Sequence, residues 1–260
     1  MSLQGQVVLI TGASGGIGRV IAQRYAAAGA SVAVIARRAD ELEATAALVR
    51  DAGVECLAHV ADLTGEDQCV QAVAATVSRF GRLDVLVNNA AVPGRDEAVA
   101  EATVENWLST WTTNLLAPML LSREALKQAM IPAGRGNIQF LSSGAAKAVL
   151  PRKAHYATAK LALIPLAQTL AHEAGQHGIR VNTMVIGTVR GELVEAWVER
   201  VAGESGDTAA AVLSRLAGSS ALRRLVEPTE VADVSLWLAS DAAASITGQN
   251  INVTAGAEMR

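Results

Sequence analysis

Cysteine is nearly missing from this chain: Cys56 and Cys69 are the only two among 260 residues. Two thiols cannot build a disulfide framework, and neither stands at metal-ligand spacing, so no metal centre is expected. Both fall within apolar patterns and read as small buried hydrophobes of a reducing compartment. Charge is scarce as well. Only 18% of residues are charged, the net charge is −3 and no Lys/Arg block occurs, so neither nucleic acid nor an anionic membrane is expected as a partner. No uninterrupted apolar run reaches the roughly 18 residues that span a bilayer. The first strand pattern begins at residue 7, which leaves a signal peptide nowhere to sit. Internal repeats, low-complexity tracts and linkers are missing too. The expectation is a soluble, cytoplasmic protein.

What the chain does have is core material, with 51% hydrophobic residues, enough for one α/β domain over 1–260. The four aliphatics Val7-Val8-Leu9-Ile10 read as a strand buried on both faces. Thr11-Gly12-Ala13-Ser14-Gly15-Gly16-Ile17-Gly18 follows, then a helical pattern over 19–28 closed by Gly29. Strand, glycine turn and helix together bring free amides and a positive dipole end against a diphosphate. The glycines let backbone approach the ligand where a Cβ would obstruct it.

Further strand patterns cover 31–36, 54–60, 84–87, 138–141, 179–185 and 250–253, alternating with helical patterns over 40–52, 66–80, 103–130, 154–177 and 230–240. This alternation predicts an α/β fold: a single-domain, Rossmann-type, doubly wound sheet of seven strands, mostly parallel, with helices on both faces. Ligands of such sheets bind at the carboxyl ends of strands, near the point where strand order reverses. Residues 1–185 would form the cofactor-binding and catalytic core. The stretch 187–226 lies outside the pattern and reads as a substrate lid, with an apolar helical segment at 193–198.

Three polar features fall at carboxyl ends of predicted strands: Asn88-Asn89, Ser142-Ser143, and Tyr156 with Lys160 at helical i, i+4 spacing. An ammonium beside a phenol favours the phenolate and lowers its pKa, which would make Tyr156 a usable acid or base. A serine hydroxyl nearby could hold the oxygen on which charge develops.

In these positions the chain resembles a classical short-chain dehydrogenase/reductase over essentially its whole length. The resemblance rests on Thr11-Gly12-x-x-x-Gly16-x-Gly18, Asp62-Leu63, Asn88-Asn89-Ala90, Asn114, Ser143, Tyr156 with Lys160, Asn182 with Gly187, and Thr247-Gly248-Gln249. It implies a catalytic set of Asn114, Ser143, Tyr156 and Lys160, with Ser143 preferred to Ser142 by its distance from the tyrosine. It also implies cofactor contacts from Gly12, Ser14, Gly15, Gly16, Ile17 and Gly18, from Asp62 and Leu63, and from Asn89, Ala90 and Ala91. Tyr156, Lys160, Gly187 and Val189 would complete the cofactor set. In the implied mechanism Tyr156 exchanges a proton with the alcohol or carbonyl oxygen, Ser143 holds that oxygen, Lys160 binds the nicotinamide ribose, and Asn114 anchors a water. Departures from the family pattern occur at Ala91, Ile186, Gly191, Ala255 and Pro165.

Strand two ends in Ala36-Arg37-Arg38, which offers cations and no carboxylate, so NADP(H) is expected over NAD(H). An alcohol or ketone is the expected small-molecule substrate, and the resemblance implies a homo-oligomer, dimer or tetramer, paired through the helices at 103–130 and 154–177. Val92, Val149, Arg190, Leu193 and Trp197, with Ser143, are the candidate substrate contacts. Arg95, Lys147, Arg152, Lys153 and Arg190 lie on loops expected to flank the mouth and leave open an anionic substrate. Two other readings remain: a non-catalytic NADP-binding regulator or redox sensor, and a lyase resembling halohydrin dehalogenases, which carry Arg where Lys160 stands.

Overall fold

The computed structural model describes residues 1–259. Seven strands form one sheet in the order β3-β2-β1-β4-β5-β6-β7, and every strand pair in it is parallel. They are β1 (Val7–Thr11), β2 (Ser31–Ala36), β3 (Cys56–Val60), β4 (Val85–Asn88), β5 (Gly136–Ser143), β6 (Ile179–Ile186) and β7 (Asn250–Val253). The aliphatic runs behave as their lack of alternation predicts: all five residues of β1 are buried, Val8 and Ile10 in one core and Leu9 in the other.

Helices α1 (Gly16–Ala27), α2 (Ala39–Asp51) and α10 (Pro228–Ala239) supply the first core. The second draws on α3 (Glu66–Phe80), α5 (Ala117–Ala125) and α7 (Ala154–Gly175). Strand order reverses between β1 and β4, so the carboxyl ends of those two strands border a crevice.

The helical pattern over 103–130 forms in pieces. Helix α4 (Val104–Trp111) passes into a π-turn at Thr112–Leu116, then α5, a second π-turn at Leu126–Met130, and the short α6 (Ile131–Ala133). Each π-turn is closely followed by a proline, Pro118 or Pro132. A proline lacks the amide for the carbonyl four residues back and crowds it, which widens the turn there. The carbonyl four back from Pro118 belongs to Asn114. Pro165 has a milder effect, since α7 continues across it as one helix.

Residues 187–226 leave the sheet after β6 and build α8 (Glu192–Ser205) and α9 (Ala209–Gly218). Their ends meet again in a parallel bridge, Val189 to Val226, with Arg190 N–H donating to the Val226 carbonyl at 2.9 Å. Past β7 the chain turns back on this segment. Ala255, at the position where the family pattern has glycine, adopts φ +52°, and its carbonyl accepts from Leu222 N–H at 3.0 Å.

Candidate active site

The glycine turn is shaped by close contacts at the strand-order reversal. A Cβ on Gly12 would lie 2.8 Å from the Ala90 Cα, and one on Gly18 would lie 2.5 Å from the Gly12 carbonyl oxygen. Asn89 fastens the two strand ends together: its amide donates to the carbonyls of Thr11 at 2.8 Å and Gly12 at 3.2 Å. The Thr11 hydroxyl accepts the N–H groups of Asn89 and Ala90 at 3.1 and 3.0 Å. Asn89 therefore supports the turn from below, and its amide points into protein.

Above this pinch, α1 starts with no side-chain cap and no acidic residue in its first turn. Nothing lies within 4 Å of the place a Cβ would take on Gly16. Uncapped amides, a positive dipole end and open space over glycine suit a diphosphate. Ser14 is held on two sides, its carbonyl by Arg19 at 2.6 Å and its hydroxyl by Arg38 at 3.1 Å. Arg38 also pairs with Glu41, while Arg37 is exposed with no partner among the described residues. Asp62 is exposed at the end of β3, its carboxylate capping Thr64, and Leu63 beside it is buried.

Ser143 ends β5 and Tyr156 sits in the first turn of α7. Ser142 is unavailable: it is buried, and its hydroxyl donates to the Lys160 carbonyl at 2.7 Å. Ser143 instead accepts Ala145 N–H at 3.2 Å and lies near enough to the Tyr156 phenol to favour its ionised form. Lys160 is 3% exposed, its ammonium 5.9 Å from the Tyr156 ring centroid and donating to the Leu141 carbonyl at 2.8 Å. Burial pulls the Lys160 pKa down to about 8. The expectation for the phenol needs correcting at this point. Burial pushes the Tyr156 pKa up, the nearby Ser143 hydroxyl offsets only part of that, and the lysine does not reverse it.

Asn114 lies buried in the π-turn before Pro118. Its amide makes a two-way pair with the Val92 backbone, accepting from N–H and donating to the carbonyl, both at 2.8 Å. Its main-chain carbonyl receives no amide from Pro118.

Two residues with the same kind of task were missed in the sequence. Asn106 clamps the backbone of Arg95 in both directions, at 2.9 and 3.1 Å. His155, buried next to Tyr156, places Nε2 3.2 Å from the Pro93 carbonyl and its ring edge-on to Trp107. A Cβ on Gly94, at φ +63°, would collide with that imidazole. The Asn-x-x-x-x-x-x-x-Asn spacing on a helix facing a Pro-Gly loop was the available signal. Loop 92–96 and the first turn of α7 are thus bound together.

The cations of the mouth all have partners. Arg190 pairs with Glu227 at 2.9 Å, Lys153 with Asp96, and Arg95 with Glu97 at 3.1 Å. Lys147 donates to Asn252 and Arg152 to the Asp96 carbonyl. By contrast Val149 and Leu193 are almost fully exposed, at 92% and 86%, and Trp197 is partly so. Gly187 passes so near Thr254 that a Cβ would lie 2.8 Å from its Cα.

A parallel sheet whose order reverses over a glycine cradle and an uncapped helix defines a Rossmann-type dinucleotide fold. The family described as enoyl-(acyl carrier protein) reductase matches residues 12–258. D-threitol dehydrogenase of Mycolicibacterium smegmatis is 36% identical over 98% of this chain and 93% of its own. NAD+-bound xylitol dehydrogenase superposes with a TM-score of 0.92 at 30% identity, covering 98% of this chain and all of the other. Actinorhodin polyketide ketoreductase with NADPH gives 0.92 at 33% identity, covering 99% of each chain. The chain belongs to the short-chain dehydrogenase/reductase family of oxidoreductases. No group of His, Cys, Asp and Glu among the described residues could hold a metal ion, and no helix there is long and apolar enough to cross a membrane.

The buried lysine sets a pH signature. Its pKa is about 8 folded and 10.5 ordinarily, so in that window the unfolded chain binds more protons and stability rises with pH. Lys160→Met would raise stability near neutral pH by on the order of 3 kcal/mol, and the gain would shrink as pH climbs through the window. Urea denaturation of both proteins across pH checks it; a gain that grows with pH contradicts the burial argument.

Proposed function

We propose that this protein is an NADP(H)-dependent oxidoreductase that interconverts a secondary alcohol and its ketone, with Tyr156 as general acid and base. The observation that carries it is Tyr156 with the buried Lys160 ammonium 5.9 Å from its ring and Ser143 nearby, beside the glycine cradle. When bound, the nicotinamide would supply or accept the hydride. The chain's own residues handle the oxygen and the proton. Ser143 has one lone pair on Ala145 N–H, which directs its proton toward Tyr156 or the substrate oxygen. A phenol kept protonated by burial suits proton donation to a nascent alkoxide. The phenolate left behind would face the Lys160 ammonium, whose pKa near 8 suits it to pass on a proton. The Asn114 carbonyl would hold the water that connects this lysine to solvent.

The diphosphate would rest on the amides of Gly15 to Gly18, with Asp62 and Leu63 beside the adenine and Ala90, Ala91, Gly187 and Val189 along the nicotinamide half. Arg37 and Arg38 would take the 2′-phosphate of NADP(H), the one with its guanidinium free and the other already anchored on Ser14. Residues 187–226 would act as the substrate lid of a single domain, working in the cytoplasm. Val104, Leu108, Leu116 and Leu161 expose apolar side chains on α4, the first π-turn and α7, which supports pairing of copies through those helices.

Three measurements test this. Tyr156→Phe would lower kcat for ketone reduction by about a hundredfold or more with cofactor binding unchanged; retained turnover would overturn Tyr156 as the general acid and base. Arg37→Ala and Arg38→Ala would each raise the KM for NADPH about tenfold, the worth of one charge-assisted hydrogen bond. An equal effect on NADH would remove the NADP(H) assignment. Light scattering should give the mass of a dimer or tetramer, and a monomer mass excludes pairing through those helices.

A further inference from the structure

We propose that Arg19 is a positioning residue for cofactor choice: it ties the glycine turn to the first turn of α2, so that Arg37 and Arg38 are held where a 2′-phosphate would meet them. This deepens the NADP(H) reading above and rests on it. Arg19 is half-buried on α1, and its guanidinium reaches three protein oxygens. Nη2 donates to the Ser14 carbonyl at 2.6 Å and to the Glu41 carbonyl at 3.3 Å, and Nε donates to the Thr45 hydroxyl at 2.9 Å. Thr45 is fully buried, and its own proton goes to the same Glu41 carbonyl at 3.1 Å. One planar cation therefore joins α1, the glycine turn and α2.

Ser14 is the point at which this tie reaches the cofactor's cations. Its carbonyl accepts from Arg19, and its hydroxyl accepts from Nη2 of Arg38 at 3.1 Å. That same nitrogen lies 3.6 Å from the place a Cβ would take on Gly15, so the Arg38 guanidinium rests against the turn itself. Arg38 can reach so far only while the start of α2 stays close to α1.

The rest of the turn has its own supports. Thr11 and Asn89 fix it toward β4, and Gly12 N–H donates to the Ile35 carbonyl at 2.8 Å. Past Ala36 such support stops: residues 37–40 are exposed, and Arg38 stands at the cap of α2 with no side-chain hydrogen bond to its amides. Farther along α2, Leu42, Ala46 and Val49 sit in the core. Loss of Arg19 would accordingly loosen the first turn of α2 while the helix and the diphosphate cradle stay in place. Charge alone does not account for this arrangement, because Nε and Nη2 are both turned to neutral oxygens of the protein. A lysine would keep the charge and lose the planar fork that meets those oxygens together.

Calorimetric titration of NADPH and NADH into the whole protein gives the ratio of their dissociation constants, which isolates the 2′-phosphate from everything the two nucleotides share. The wild type should bind NADPH at least about tenfold more tightly. Arg19→Met and Arg19→Lys should each cut that ratio about fivefold, chiefly by weakening NADPH, the worth of one loosened charge-assisted hydrogen bond. Thr45→Val alters no charge and leaves the Ser14 contact in place. It should lower the ratio in the same direction by a smaller factor, and it decides alone if the Arg19 variants fail to fold. An unchanged ratio in Arg19→Met, an equal loss of both nucleotides, or a ratio kept in both Arg19→Lys and Thr45→Val would overturn the positioning role and leave the NADP(H) assignment standing. A wild type that binds the two nucleotides equally removes that assignment, and the role of Arg19 with it.

Discussion

The structure depends on how closely two strand ends approach where the sheet reverses direction. Gly12 lies against Ala90 with no room for a methyl group, and Gly18 lies against Gly12. That closeness lets one threonine hydroxyl accept two successive amides and one asparagine amide bind two successive carbonyls. The cradle for a diphosphate and the segment that runs on to Val92 are consequently parts of one rigid piece. Helix α7 joins it through His155, Lys153 and the loop they hold.

Much of this was legible in the sequence because it follows from short-range rules. Aliphatic runs flanked by turn residues read as strands of a parallel sheet, and each of the seven formed at its expected place, with β3 two residues shorter at its start, β4 shifted by one residue and β5 two residues longer at each end. The glycine turn was legible for the same reason, since its constraint is steric and local. The π-turn at Asn114 was not foreseen, although its cause, Pro118, was in view. A proline four residues along from the asparagine widens the helix at the residue whose side chain holds Val92.

Other features could not be read because they depend on partners distant in sequence. Arg190 looked like an anion receptor only while Glu227 was unplaced. The same applies to Lys147 with Asn252, 105 residues apart. Tyr156 shows the limit of spacing as an argument: a lysine at i+4 predicts a lowered phenol pKa, but burial acts on both groups, raising one and lowering the other. Their pKa values, close together in the free groups, move apart, so burial by itself favours a neutral phenol and an amine that gives up its proton more readily.

The bridge between Val189 and Val226 is small, yet it closes off one stretch of the chain from the sheet. Everything needed to hold the sheet together lies on one side of it, and the thirty-six residues between the bridged positions return to within a strand spacing of where they left. A segment joined so narrowly can lengthen, shorten or be replaced without disturbing the register of β6 and β7. That stretch is built as a cassette, exchangeable in one piece on a sheet whose strand ends keep their places.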